Sequence, residues 1–90
     1  MKRQQHGTVQ NFTMSGSSQA SNAFAEGTYM IRIATGAQPG YFAIGTSPTA
    51  SSSTQLIGAN VVDYVTVLPG QKIAVLQAGT AGVISITELV

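Results

Sequence analysis

The sequence contains no cysteine, a single histidine and very little charge, with four Lys/Arg and three Asp/Glu in 90 residues. The missing cysteines exclude disulfides and thiolate metal sites, so the fold rests on its core or on neighbours. Charged side chains are 8% of the chain, where about 25% is usual for a globular domain. Serine, threonine, glycine and glutamine fill that gap, which predicts a neutral polar surface. A formal charge of +1 gives little field for steering nucleic acid or anionic lipid. Lys2 and Arg3, the two basic residues near the start, would neutralise about two phosphates at most. Neither a nucleic-acid nor a membrane partner is expected. No window approaches the roughly 18 apolar residues of a membrane-spanning helix. Lys2 and Arg3 are not followed by an apolar run of about 7–15 residues, so no secretory signal is expected. Asn11-Phe12-Thr13 matches a glycosylation acceptor, but without an export signal it reads as a chance match.

What is present is β-rich punctuation. From residue 23 onward short runs of β-branched and aromatic residues alternate with glycine and proline at intervals of about 8 to 12 residues, the spacing of a sandwich or barrel. Residues 28–35, "TYMIRIAT", place Tyr29, Ile31 and Ile33 on one face and Thr28, Met30, Arg32 and Ala34 on the other, a half-buried strand. Pro39-Gly40 and Pro69-Gly70 both read as type II turns, with glycine at the positive-φ position. Residues 46–54, "TSPTASSST", are too polar for core and predict a surface loop. In residues 61–68, "VVDYVTVL", Val61, Asp63, Val65 and Val67 alternate with Val62, Tyr64, Thr66 and Leu68, so both faces carry apolar groups. "QKIAVLQ", the loop "AGTAG" and "VISITEL" then predict a three-stranded meander with residues 61–68. On the last strand Ile84, Ile86 and Glu88 share one face while Val83, Ser85, Thr87 and Leu89 share the other. Neither face is plainly the wet one, which predicts that a partner covers part of both.

The first 22 residues read differently. Residues 15–22, "SGSSQASN", are small, polar and aperiodic, as a flexible connector is. They divide the chain into an N-terminal arm and connector, 1–22, and a β-sandwich domain, 23–90. Val9, Phe12 and Met14 are the arm's only sizeable apolar side chains, and they are the predicted partner contacts. Removing the arm is expected to leave the domain folded.

Chemistry by side chains needs titratable or nucleophilic groups in mutual reach, and the sequence offers few. His6 has no carboxylate near it in sequence. Asp63 and Glu88 lie on different strands, and Asp63 is expected to face solvent or to meet Lys72 or Arg32. "LPGQK" lacks the spacing of a phosphate-binding loop and no helix follows it. The hydroxyls of residues 46–54 have no base beside them. Tyr29, Tyr41, Phe42 and Tyr64 are the candidates for a sugar-binding platform. No enzyme, metal or cofactor is expected.

Two stretches carry a resemblance: "AIGTSPTASSSTQLI" followed by "VVDYVTVLPGQKIAVLQAGTAGVISITEL". Over residues 28–90 the chain resembles short β-rich virion accessory proteins of tailed bacteriophages, of the capsid-decoration or head-fibre type. The matched motifs are turn and strand chemistry, so no functional residue carries over, and residues 1–22 lie outside the match. The resemblance implies an all-β, small antiparallel β-sandwich of jelly-roll type, extended by the arm. It further implies a structural virion protein, a capsid decoration (cement) protein that self-associates as a homotrimer and binds the major capsid protein at the capsid surface. Such a protein would be made in the bacterial host cytoplasm. The alternative is a host-surface or glycan-binding module of a head fibre or tail.

Overall fold

β-Branched side chains lose rotamer freedom in helices and pack well on a pleated surface, and the chain follows that preference throughout. The computed structural model describes residues 6–89, and among them there is no helix. The strands are β1 (His6–Thr13), β2 (Gln19–Ala20), β3 (Met30–Thr35), β4 (Gly40–Gly45), β5 (Gln55–Ile57), β6 (Val62–Thr66), β7 (Lys72–Gln77) and β8 (Val83–Leu89). The expected all-β character is borne out.

Four antiparallel pairings nest inside one another: β4 with β5, β3 with β6, β2 with β7, and β1 with β8. The chain is thus one long hairpin turning at residues 46–54. Two further pairings, β3 with β8 and β4 with β7, close the strands into two four-stranded sheets ordered β1-β8-β3-β6 and β2-β7-β4-β5. We call the first sheet A and the second sheet B. Their inner faces share one core, with Ile31, Ile33, Ile84 and Ile86 from sheet A against Phe42, Ile57, Ile73 and Val75 from sheet B. Burial of each such side chain is worth roughly 1.5–3 kcal/mol.

The predicted meander of the last three strands is corrected. β7 lies in sheet B, while β6 and β8 lie in sheet A. Glycine and proline report where the chain reverses, not which sheet it enters. The connections at 67–71 and 78–82 are long enough to cross the roughly 10 Å between packed sheets. Gly70 does take the positive φ of its predicted turn (86°), and Gln71 N–H donates to Leu68 O at 3.2 Å. Gly40 does not have a positive φ. It opens β4, and a Cβ there would run into Met14 Sδ, so this glycine permits close packing rather than a turn.

The predicted arm and connector are corrected as well. Residues 1–5 lie outside the described residues, but β1 pairs with β8 along most of its length and is part of sheet A. Met14 has no exposed surface and donates its N–H to Gly82 O at 2.7 Å. Within residues 15–22, Ser21 N–H donates to Ile73 O (2.8 Å) and Ser21 Oγ accepts from Ile73 N–H (3.0 Å). The small polar side chains that suggested flexibility act as local hydrogen-bond partners of the sheet edge. The packed unit therefore begins with β1, not at residue 23.

Candidate interaction surface

Residues directly opposite each other in an antiparallel pair share a face, so the registers define what sheet A presents outward. One row runs Val9, Thr87, Arg32, Tyr64 across all four strands; the next runs Asn11, Ser85, Ala34, Val62. Leu89, Met30 and Thr66 form a third row, and Val83 pairs with Thr13 at the start of β8, but Thr87 and Leu89 in the middle of this face are buried. Val9, Val62, Tyr64 and Val83 are each about half exposed, from 48 to 57%. Among the described residues of these rows, Arg32 is the only charged one. The outer face of sheet B is built alike: Tyr41 lies between Leu76 and Leu56, Ala43 lies opposite Ala74, and Lys72 supplies the charge. Leu56 is 53% exposed there. As expected for residues 61–68, β6 carries apolar groups on both of its faces, Val62 and Tyr64 outward and Val65 toward the core.

The predicted partner contacts separate. Val9 stands on the outer face of sheet A and is 51% exposed. Phe12, opposite Ile84, is half-buried and packs on the core. Met14 lies within the core and offers no surface to a partner. Its place as a contact residue is corrected, because the glycine at position 40 opens a slot that the thioether fills.

The titratable groups are dispersed. His6 opens β1 opposite Leu89. Asp63 lies opposite Ile33 and Glu88 opposite Ile31, with β3 between them, which sets them roughly 12 Å apart at the usual strand spacing and rise. Arg32 faces the other side of the sheet and Lys72 belongs to the other sheet, so neither expected cation meets Asp63. Asp63 is exposed to solvent, and its Oδ1 accepts the N–H of Tyr64 at 2.9 Å. Among the described residues, no three His, Asp or Glu side chains come together as a metal site, and no helix is long and apolar enough to cross a membrane. Phe42 is buried, Tyr41 lies on sheet B, Tyr64 on sheet A, and Tyr29 stands exposed just before β3, so the four aromatics do not converge into one sugar platform.

Glu88 is the residue whose role the sequence reading missed. It is 3% exposed, and its Oε1 accepts from Ala25 N–H (2.9 Å) and Thr28 Oγ1–H (2.8 Å). Thr28 N–H in turn donates to Ala25 O (3.1 Å), with Gly27 at φ 89°. The carboxylate thereby fastens the turn of residues 25–28 onto the end of sheet A. The signal was available: a glutamate sharing the inward face of Ile84 and Ile86 must find donors nearby. The 46–54 loop is also tied down, through Ala50 N–H donating to Ser18 Oγ (2.9 Å) and Thr54 Oγ1–H donating to Ser51 O (2.8 Å).

Comparison of the chain with protein-family models, with curated proteins and with solved structures finds no match.

Proposed function

We propose that this chain is a structural virion protein of a tailed phage, a capsid decoration protein that self-associates as a trimer and binds the outer surface of the shell. The observation that carries the reading is the outer face of sheet A, where Val9, Val62, Tyr64 and Val83 stand about half exposed around Arg32. Exposed apolar patches of this kind mark contact surfaces in soluble proteins. The strand orders β1-β8-β3-β6 and β2-β7-β4-β5 support a jelly roll, the doubly wound hairpin found in viral capsid and lectin domains. The dispersed carboxylates favour a structural role over catalysis. By lying across boundaries between major capsid protein subunits, such a protein adds interface area and stabilises the closed shell by mass action.

The test is cosedimentation of the purified chain with capsids, alongside its solution mass by light scattering. The wild type is expected to pellet with capsids at a saturable stoichiometry, and Val62→Lys combined with Val9→Lys to lose at least about tenfold in affinity, a change of roughly 1.4 kcal/mol. Equal binding by that variant would remove the sheet A face from the reading. A second reading, host-glycan binding, is favoured by one observation, Tyr64 standing exposed beside Arg32. Capture on a glycan array without capsid binding would select it.

A further inference from the structure

Sheet edges expose unpaired backbone groups that can template another strand, and the four edges here are unequal. Sheet B ends in β2, two residues long, and β5, three residues long, too short to recruit a strand. On sheet A, β1 carries a register shift between His6 and Val9, and its Thr13 carbonyl accepts from Gln19 Nε2–H at 3.0 Å. The last edge, β6, is five residues long and pairs with β3 without irregularity.

Which groups β6 turns outward follows from its ladder. Thr35 N–H donates to Val61 O and Val67 N–H donates to Tyr29 O, each at 3.0 Å. Hydrogen-bonded pairs alternate along an antiparallel ladder, so Asp63 and Val65 direct their backbone groups to β3 while Val62, Tyr64 and Thr66 direct theirs away from the sheet. The central outward amide, that of Tyr64, is held by Asp63 Oδ1 at 2.9 Å. Asp63 is the only charged residue on the strand.

The outward side of β6 is also self-complementary. Laid antiparallel against itself about a two-fold axis at Tyr64, each outward residue meets an outward residue: Tyr64 its own counterpart, and Val62 the Thr66 of the second copy. The central rung would be two Tyr64 N–H to Tyr64 O bonds, and the two tyrosines would stack across strands on the apolar outer face. Such an isologous contact closes on itself and makes one eight-stranded sheet. The carboxylate of Asp63 occupies the amide that this rung requires. We propose that Asp63 acts as a guard of the β6 edge: holding the Tyr64 amide, it keeps two copies of this chain from pairing through β6, and its loss joins them about Tyr64. The inference goes beyond the particle role, since it concerns the β6 edge alone and not the sheet faces on which that role rests.

The chain has no cysteine, so a single introduced thiol reports the pairing. Tyr64→Cys in an Asp63→Ala background is expected to form disulfide-linked dimers at least about tenfold faster than Tyr64→Cys alone. Val62→Cys in the same background should not, because the two-fold axis sets those positions about four residues apart. With Tyr64 retained, Asp63→Ala should at least double the solution mass relative to wild type. Asp63→Asn, which keeps an acceptor oxygen, should leave the mass unchanged. Asp63→Lys removes the acceptor while keeping a solubilising charge, and should associate as Asp63→Ala does. An unchanged mass and disulfide rate in both acceptor-free variants would overturn the proposal. So would association of Asp63→Asn, or linkage through position 62 as fast as through position 64.

Discussion

A carboxylate with almost no exposed surface must be answered by hydrogen bonds, because its desolvation otherwise costs several kcal/mol. Glu88 is answered by the Ala25 amide and the Thr28 hydroxyl, and among the described residues no buried side-chain polar atom is left without a partner. Replacing Glu88 by alanine strands Ala25 N–H and Thr28 Oγ1 together. The expected cost is about 1–3 kcal/mol, read as a shift in the urea unfolding midpoint at unchanged slope. Glu88→Gln keeps the accepting Oε1 and should cost clearly less. Equal losses in the two variants would mean that the charge itself, not the acceptor, holds the turn. The parity of Glu88 with Ile84 and Ile86 was legible from the alternation of the last strand. Its partners were not, because the turn at 25–28 lies some sixty residues away in sequence and nothing local couples the two.

At the scale of elements, β1 decides what the domain is. It covers one side of β8 and brings Phe12 and Met14 to the core. Losing the buried Met14 side chain alone should cost about 2–5 kcal/mol, a large part of the roughly 5–15 kcal/mol by which a small domain is stable. A chain beginning at residue 15 is therefore expected to lose cooperative thermal unfolding by circular dichroism, the opposite of what an arm-and-domain reading predicts. A sharp transition near that of the full chain would return β1 to the status of an accessory strand. The strands that declared themselves in sequence were those with a strong period of two and many β-branched residues, such as β3 with Ile31 and Ile33. β1 interleaves Val9 and Phe12 with Gln10, Asn11 and Thr13, and β2 is two residues of no pattern, so neither stands out from a polar connector. Sheet membership was hidden for a different reason, since Pro69-Gly70 shapes a turn equally well within a sheet or between two. The outward row Val9, Arg32, Tyr64 exists only through registers between distant strands. The sequence could show apolar groups on both faces, but not which of them stand together.

The whole molecule has a Cα radius of gyration of 12.3 Å and principal extents of 40 × 26 × 18 Å, close to the roughly 12 Å expected for a compact domain of this length. A chain this short buries a modest fraction of its surface, and the proposed self-association would add to its stability. With four Lys/Arg against three Asp/Glu, and Arg32 and Lys72 on the two broad faces, the proposed association would rest on apolar contact. Raising salt from about 0.1 M to about 1 M shortens the Debye length from about 10 Å to about 3 Å. The dissociation constant for self-association, from sedimentation velocity, is expected to change by less than about threefold over that range. A tenfold weakening would relocate the interface to the charged residues.

The nested pairing also sets an order in time. β8 is the last of the eight strands to be synthesised, yet it sits inside sheet A between β1 and β3. While the chain emerges from the ribosome, β4 and β5 are free to close their local hairpin, but β1 and β3 have no strand to join them, and Ile31 and Ile33 stay uncovered on one side. Each later rung encloses a longer stretch of chain, ending with the pairing of His6 and Leu89. Topologies dominated by such distant pairings fold in about milliseconds to seconds. The domain is thus completed only after its final strand is released, in one late closure.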